Sequence, residues 1–324
     1  MTSLLANVVS REPLVAADGR SGSLLERVTL AGGQALVVKH VLDGGDWIMR
    51  GCHDHGRAAQ LWAHGVLARV PDGIDHAVVG AEQVEGGWVV VMRDVSAALL
   101  PDHARITRDQ SRRVLRAAAA LHAAFADDPP LALCPMADRY QFLSPATARR
   151  EAGGADEVPR LIGRGWERFA DLVPGDVAGP VLELLERPGP LVAALARHRS
   201  TLIHGDLKLG NLGFAGDRVV MLDWGTQTGW APPAVEVAWY LAVNWSRIDA
   251  SREQVLDDFR AAEGDRHDEN ALRLALLGGL LQLGWEKALH ASGHPDPAVR
   301  SREAADLAWW CERARDALAA WTPS

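Results

Sequence analysis

Lysine is scarce in this sequence, since only three of the 34 Lys and Arg residues are lysines, namely Lys39, Lys208 and Lys287. Cysteine is as rare, and the three cysteines lie far apart without C-x-x-C spacing, which excludes a disulfide framework and a four-cysteine zinc site. The longest apolar run, residues 274–285, contains three glycines and is too short to span a bilayer. Because the first residues also lack the basic leader of a signal peptide, we expect a cytoplasmic protein without a membrane partner.

The charge balance is acidic, with 42 Asp and Glu residues against 34 Lys and Arg residues and a formal net charge of −8. A protein that binds nucleic acid regardless of its sequence needs many cations to neutralise phosphates, so this class of protein is excluded. A length of 324 residues predicts two domains or lobes. The hydrophobic share of 48% and the charged share of 23% are typical of a globular protein.

The secondary-structure pattern changes character near residue 94. Before it, β-rich segments such as residues 35–41 predict two hairpins around one short helix. After it, apolar residues recur at helical spacing, beginning with a predicted capping box at Thr107 and Gln110. The sequence therefore predicts an α+β fold, with an antiparallel-sheet N-terminal lobe over residues 1–94 and a larger, mostly helical C-terminal lobe over residues 95–324.

Residues 201–212 contain the most informative group of polar side chains. The segment reads T-L-I-H-G-D-L-K-L-G-N-L, so a short apolar strand leads into a loop that carries Asp206, Lys208 and Asn211. An isolated aspartate of this kind would be interpreted as a turn or capping residue. The D-x-K-x-x-N spacing, together with the segment that follows it, favours a functional role.

The segment after Asn211 is predicted to form a hairpin. Its two strands flank the turn A-G-D-R, and pairing Phe214 with Val219 would place Asn211 opposite Leu222. Asp223 would then emerge beside Asn211 at the open end of the hairpin. Because Mg²⁺ is a hard cation that binds through oxygen, we predict Asn211 and Asp223 as metal ligands.

This combination of residues suits phosphoryl transfer, in which the protein mainly positions a hydroxyl group and neutralises phosphate charge. Asp206 would orient and deprotonate the acceptor hydroxyl, and Lys208 would reach the transferring phosphoryl group. Asn211 and Asp223 would hold Mg²⁺ against the phosphates of ATP. Lys39, on a strand of the other lobe, would contact the α- and β-phosphates. GTP as an alternative nucleotide stays open.

These segments together resemble the aminoglycoside phosphotransferase/choline kinase-like family, which has the protein-kinase-like two-lobed fold. The resemblance covers most of the chain in order, and its main carriers are residues 204–211, L-D-W-G at residues 222–225, and Lys39. It implies ATP- and Mg-dependent transfer of the γ-phosphoryl group to a hydroxyl of a small molecule, such as an amino sugar, sugar, aminoglycoside or choline-like alcohol. Which acceptor is used, whether antibiotic resistance results, and the oligomeric state stay open.

The same resemblance implies roles for further residues. Adenine would hydrogen-bond to backbone at the hinge near Arg93 and Val95, and the loop that covers the nucleotide would include Ser21 and Gly22. Glu236 would brace the loop of residues 204–211, which corresponds to the catalytic loop of the resembled family.

Candidate acceptor contacts come from the C-terminal lobe, where the resembled family binds its acceptors. Tryptophan is over-represented in the chain, with 12 Trp against 2 Tyr and 5 Phe. Most tryptophans are expected in the core, but a Trp face can stack on a sugar or an ammonium group. The predicted acceptor contacts are Trp230, Trp245, Trp285, Asp138 and Tyr140.

In the resembled family, a helix of the N-terminal lobe normally supplies a Glu that pairs with the strand lysine. The corresponding stretch of this sequence, residues 57–62, contains no Glu to pair with Lys39. Asp54 and Gln60 are the candidate substitutes. The departure leaves open a second hypothesis, a catalytically weak nucleotide-binding regulator or scaffold of the same fold. A protein kinase is disfavoured because no A-P-E-type activation segment follows D-W-G. Lys287, on a late helix, is expected to be solvated.

Overall fold

The computed structural model of the chain describes residues 5–14, 24–126, 128–131 and 133–321. Ser21 and Gly22, predicted in the loop over the nucleotide, lie outside the described residues. The strands are β1 (Val8–Leu14), β2 (Leu24–Leu30), β3 (Ala35–Leu42), β4 (Ile74–Asp75), β5 (Val78–Val84), β6 (Gly87–Arg93), β7 (Ile106–Thr107), β8 (Thr201–Ile203), β9 (Leu212–Ala215), β10 (Arg218–Met221), β11 (Gly229–Ala231) and β12 (Ile248–Asp249). The α-helices are α1 (Trp47–Gly51), α2 (Arg57–Ala63), α3 (Arg108–Ala124), α4 (Met136–Gln141), α5 (Pro145–Glu151), α6 (Val158–Leu172), α7 (Gly175–Glu186), α8 (Gly189–Leu195), α9 (Pro233–Asn244), α10 (Arg252–Glu263), α11 (Glu269–Gly293) and α12 (Pro297–Ala320).

The first part of the chain forms a five-stranded antiparallel sheet in the order β1-β2-β3-β6-β5. Successive side chains of a strand point to opposite faces, so the two faces of β3 have different neighbours. Leu36 and Val38 pack into a small core on one face, whereas Val41 joins the main core on the other. Lys39 shares its face with Val41, and this alternation turns the lysine toward the rest of the molecule.

The second part of the chain is mostly helical, and its centre is α11. This helix packs against α6, α9 and α12. Two glycines permit close approach, because a Cβ on Gly278 would lie 2.5 Å from the Tyr140 hydroxyl and one on Gly279 would lie 2.7 Å from the Trp310 ring. A sheet-containing N-terminal part followed by a helical part confirms the predicted α+β class.

Lys287 on α11 is buried, so the prediction of a solvated lysine is wrong. Its ammonium donates to Ala242 O at 3.1 Å and pairs with Asp306, whose other carboxylate oxygen accepts from Arg252. The reason is that α11 is covered by neighbouring helices on several sides, which leaves this position no solvated face. The third lysine is therefore part of a structural ion pair.

A three-stranded sheet links the two parts of the chain. Strand β4 pairs in parallel with β10, which pairs antiparallel with β9, in the order β4-β10-β9. The hairpin that follows the D-x-K-x-x-N segment is thus anchored to the N-terminal part. The division into lobes at residue 94 stays a prediction. Within the described ranges, no helix is both long and apolar enough to cross a membrane.

Candidate active site

The β9–β10 hairpin holds the predicted site residues together. Phe214 pairs with Val219, and the backbone N–H of Leu222 donates to Asn211 O at 2.9 Å. The predicted register of the hairpin is thereby confirmed. It follows that Asn211 and Asp223, which comes directly after Leu222, lie at the same end of the hairpin.

Both carboxylate oxygens of Asp206 accept hydrogen bonds. The Asn211 amide Nδ2 donates to Oδ2 at 2.9 Å and also to the Asp206 backbone oxygen at 3.0 Å. The Trp239 indole Nε1 donates to Oδ1 at 3.0 Å. Because Asn211 faces two acceptors, its NH₂ group is fixed toward Asp206, and its Oδ1 is the atom that could hold a cation.

Lys39 forms an ion pair with Asp223, with 2.8 Å between Nζ and Oδ1. The two residues are 184 positions apart in the chain, and the pair joins β3 to the end of the hairpin. Partial burial would lower the pKa of Lys39. The charge of Asp223, with that of Asp54 and Asp46, outweighs this effect and raises the pKa above its usual value. The lysine is therefore held as a cation.

The candidate substitutes for the helix glutamate have other partners. Asp54 accepts from the N–H groups of Gly56 and Arg57 at 2.9 and 2.6 Å, and Gln60 donates to His55 O at 3.1 Å. Asp54 thus acts on Lys39 through its charge, without a hydrogen bond among the described atoms. Its side chain holds the turn that leads into α2, whose N-cap is Gly56.

Arg57 ties α2 to the D-W-G segment in a way that the sequence did not predict. Its buried guanidinium donates to Thr226 O at 2.7 Å and to Cys52 O at 3.2 Å. A Lys–Glu ion pair would tie the helix to β3, whereas this arginine ties it to the segment that carries Asp223. The side chain stands at the first residue of α2, where no periodic pattern distinguishes it.

Asp223 is held in an unusual backbone conformation with a strongly stabilised charge. Its φ of 66° lies in the left-handed region, which Asp and Asn tolerate better than most residues. Lys39 is the main cause that lowers the pKa of Asp223 to about 2, against the opposing effect of burial, and Lys208 and His204 add to it. The carboxylate is therefore ionised at any ordinary assay pH.

The catalytic loop is braced by Glu236 on α9. One Glu236 oxygen accepts from His204 N at 2.7 Å and the other from Gly205 N at 2.9 Å, which confirms the predicted bracing role. Gly205 has a φ of 85°, and a Cβ there would lie 2.0 Å from Gln227 O, so the turn requires glycine.

Two further residues that hold the loop were missed by the sequence analysis. Asn244 Nδ2 donates to Leu207 O at 2.7 Å, and its Oδ1 accepts from Leu209 N at 2.9 Å. His204 accepts from Asp206 N at 3.2 Å and donates through Nε2 to Leu222 O at 3.0 Å. A lone asparagine at the end of residues 237–244, which are otherwise apolar or aromatic, was the one available signal for Asn244.

Comparison with known proteins gives the family. Residues 16–275 match the model of the phosphotransferase enzyme family, well over half of the chain. The chain belongs to this family. It is a small-molecule phosphotransferase that acts on a hydroxyl group, as the sequence predicted.

Solved structures share the fold of this phosphotransferase. Aminoglycoside phosphotransferase APH(3'')-Id from Streptomyces rimosus, in complex with ADP and streptomycin, is 19% identical with a TM-score of 0.54, over 87% of this chain and 96% of that chain. Choline kinase LicA from Streptococcus pneumoniae is 12% identical with a TM-score of 0.58, over 96% of both chains. A choline/ethanolamine kinase family protein from Mesorhizobium loti is 16% identical with a TM-score of 0.50, over 97% and 94%. No curated protein matches by sequence.

Three of the predicted acceptor contacts of the phosphotransferase are wholly or partly covered by other residues. Tyr140 and Trp285 are buried in the helical core and offer no surface to an acceptor. One face of Trp245 is covered by the Arg252 guanidinium, 3.5 Å from the ring centroid. The physical reason is that long-range helix packing, which sequence position does not reveal, decides which tryptophans are covered.

Asp138 and Trp230 stay candidate acceptor contacts of the phosphotransferase. Asp138 Oδ2 lies 2.9 Å from His53 Nδ1, and Trp230 is half-buried on β11 opposite Leu202 of β8, the strand that leads into the catalytic loop.

The predicted hinge residues of the phosphotransferase lie where β6 ends. Arg93 N donates to Ala77 O at 2.9 Å, and its side chain pairs with buried Asp75. Val95 precedes a short turn that Ala98 N closes onto Val95 O at 2.8 Å. Contact between this backbone and adenine stays a prediction.

His122 on α3 is buried among carboxylates behind the loop of the phosphotransferase. Its Nδ1 lies 2.6 Å from Glu263, and its Nε2 lies 3.8 Å from Glu236, the loop brace. Burial alone would lower the pKa of His122, but the two glutamates raise it to about 9. The histidine is therefore charged at neutral pH.

This charged histidine predicts an alkaline loss of stability. Its folded-state pKa exceeds the unfolded value of about 6.5, so its contribution is complete below pH 6.5 and disappears as the pH rises through 9. We expect the free energy of unfolding to fall by up to roughly 3 kcal/mol over that range. Denaturant unfolding at several pH values from 6 to 9.5 measures the slope of the free energy of unfolding against pH. His122→Gln is the control, because it should lose this slope. Equal slopes for the two proteins would contradict the prediction.

Proposed function

We propose that this phosphotransferase moves the γ-phosphoryl group of ATP, with Mg²⁺, to a hydroxyl group of a small molecule. The observation that carries the proposal is the convergence of Asp206, Asn211 and Asp223 on one loop and hairpin, with Lys39 2.8 Å from Asp223. Asp206 is the proposed general base, because a carboxylate fixed by two donors is suited to accept the proton of an attacking hydroxyl.

The proposed metal ligands fit Mg²⁺ by their chemistry. Asn211 offers an amide oxygen, and Asp223 offers a carboxylate that stays ionised because its pKa is lowered to about 2. Both are hard oxygen donors of the kind that Mg²⁺ prefers. Bound Mg²⁺ would neutralise negative charge on the nucleotide phosphates.

The two lysines of the site are proposed to contact phosphate. Lys39 projects from β3 toward Asp223, so a phosphate at this position would meet its ammonium. Lys208 follows Asp206 by two residues, and its charge contributes to the low pKa of Asp223. A compact ammonium that can turn between phosphate oxygens suits both positions. The backbone near Arg93 and Val95 is proposed to contact the adenine ring of the nucleotide. The molecule is proposed to consist of two lobes, residues 1–94 and 95–324.

The acceptor is proposed to be a small hydroxyl compound that carries an amine, an aminoglycoside or a choline-like alcohol. This class is motivated by two neighbours of the same fold, an aminoglycoside phosphotransferase in complex with ADP and streptomycin and a choline kinase. A sugar without an amine stays within the proposal.

A catalytically weak scaffold is the less favoured alternative. It was motivated by the missing helix glutamate, but Lys39 has Asp223 as its partner and Arg57 ties α2 to the site. Two contacts thus take over what the glutamate would supply. We therefore favour the enzyme.

A panel assay distinguishes the two functions. The protein is incubated with Mg-ATP, and in parallel with Mg-GTP, against hydroxylated metabolites, aminoglycosides and choline-like alcohols. ADP or GDP release is recorded together with the mass increase of one phosphate on the acceptor. We expect acceptor-dependent release with at least one compound. Stabilisation by Mg-ATP in a thermal shift without any phosphorylated product would support the scaffold.

A further inference from the structure

Helix α9 contacts the catalytic loop through three side chains in succession. Glu236 binds the backbone of residues 204 and 205, Trp239 binds the side chain of Asp206, and Asn244 binds the backbone of residues 207 and 209. These three residues lie on one side of the helix and are spread over two to three of its turns. Of the three, Trp239 is the one that reaches the carboxylate of the proposed base.

The indole ring of Trp239 is fixed on several sides. It is 5% exposed, and its centroid lies 6.4 Å from that of Phe142. The buried guanidinium of Arg139 lies 5.5 Å from the ring centroid and is held by Gln227 Oε1 at 2.9 Å. A cation near the face of an aromatic ring attracts its electrons, which strengthens the indole N–H as a donor.

Burial of the ring does not by itself explain the hydrogen bond to Asp206. Trp166 and Trp224 are equally buried and donate to backbone carbonyls of Leu143 and Met221, both at 2.7 Å. The indoles of these two tryptophans are thus satisfied by ordinary carbonyls. Trp239 donates instead to a carboxylate at the centre of the site.

We propose that Trp239 is a positioning residue for phosphoryl transfer. Its N–H fixes Oδ1 of Asp206 while Asn211 fixes Oδ2, so the two donors together set the rotation of the carboxylate about the Cβ–Cγ bond. The remaining lone pairs then face the acceptor hydroxyl in one orientation. This inference rests on the proposed function, in which Asp206 is the base.

The variant Trp239→Phe tests it, because phenylalanine keeps an aromatic ring and removes the N–H. We expect kcat to fall about 10- to 100-fold, the range for a lost hydrogen bond to a charged group. The KM for the acceptor and the affinity for Mg-ATP should stay unchanged.

Trp166→Phe is the matched control. It removes an indole N–H···O bond of the same kind, 2.7 Å to Leu143 O, in another part of the core. We expect it to lower stability to a similar degree without an effect on kcat. An unchanged kcat in folded Trp239→Phe would overturn the proposal, and so would an equal fall in both variants.

An NMR measurement keeps the proposal testable should Trp239→Phe not fold. In protein labelled with ¹⁵N-tryptophan, Asp206→Asn changes the acceptor of the Trp239 indole N–H, so an indole resonance should shift. If none shifts, the hydrogen bond is absent and the proposal is wrong. A wild-type protein without any phosphoryl transfer would instead contradict the proposed function, and the resonance shift would still report on the bond.

Discussion

Asp206→Asn is expected to reduce turnover by about 10²–10⁴-fold, the usual contribution of a positioned general base. Asparagine has nearly the same shape, and its amide oxygen can accept from one of the two donors that hold Asp206, so the loop should keep its fold. The loss should fall on kcat, because Lys39 and the hairpin that carries Asp223 are untouched. Steady-state kinetics with the acceptor found in the panel assay measures it.

Asp217→Asn is a matched control for this variant. Asp217 lies in the exposed turn of the β9–β10 hairpin, so the same change of charge occurs on the hairpin that follows the loop, away from the loop itself. Its turnover should equal that of the wild type. Full turnover of Asp206→Asn on the true acceptor would remove Asp206 from the reaction, whereas equal losses in both variants would indicate a general effect of charge.

The parts of the site that the sequence predicted correctly depend on short-range geometry. The hairpin register follows from a four-residue turn, which fixes Phe214 opposite Val219 and so sets Asn211 beside Leu222. The position of Lys39 on a strand follows in the same way from the β-rich pattern of residues 35–41. Such features need only local residues, so a single sequence suffices to predict them.

The features that the sequence did not predict depend on contacts between distant segments. Lys39 and Asp223 are 184 residues apart, and their pairing requires the sheet and the hairpin to be assembled first. Trp239 was one of many tryptophans, and its contact with Asp206 arises only when α9 packs behind the loop. Lys287 was expected in solvent because a single helix pattern does not reveal coverage by α12.

The lysines of the chain occur in two kinds of environment. Two of the three lysines face carboxylates, but for different reasons. Lys39 is 21% exposed at an open site, whereas Lys287 is buried in a closed ion pair among helices. Scarcity of lysine therefore does not identify phosphate-binding positions, since a compact ammonium also serves where a buried carboxylate and a carbonyl must both be satisfied.

Asp223→Asn should abolish Mg²⁺-dependent nucleotide binding and, with it, turnover. Loss of a residue that only supports a metal ligand typically weakens metal affinity about 10- to 100-fold, and loss of a charged ligand itself should exceed this. Asparagine is preferable to alanine here because the φ of 66° is tolerated by Asn, so backbone strain is not added to the loss of charge. Calorimetric titration with ATP, with and without Mg²⁺, measures the effect.

Stability should change little in the same variant, which separates the loss of metal from unfolding. The Lys39 and Asp223 side chains are 21% and 32% exposed, so water can solvate the lysine once its partner is lost, and the pair should contribute at most about 1 kcal/mol to stability.

Lys39→Met is the informative companion, because it removes the same ion pair but leaves both proposed metal ligands. It should weaken ATP binding while Mg²⁺ still enhances it. If both variants lost the Mg²⁺ dependence equally, or if Asp223→Asn retained it, Asp223 would act as a structural partner of Lys39 and the metal would have to be held elsewhere.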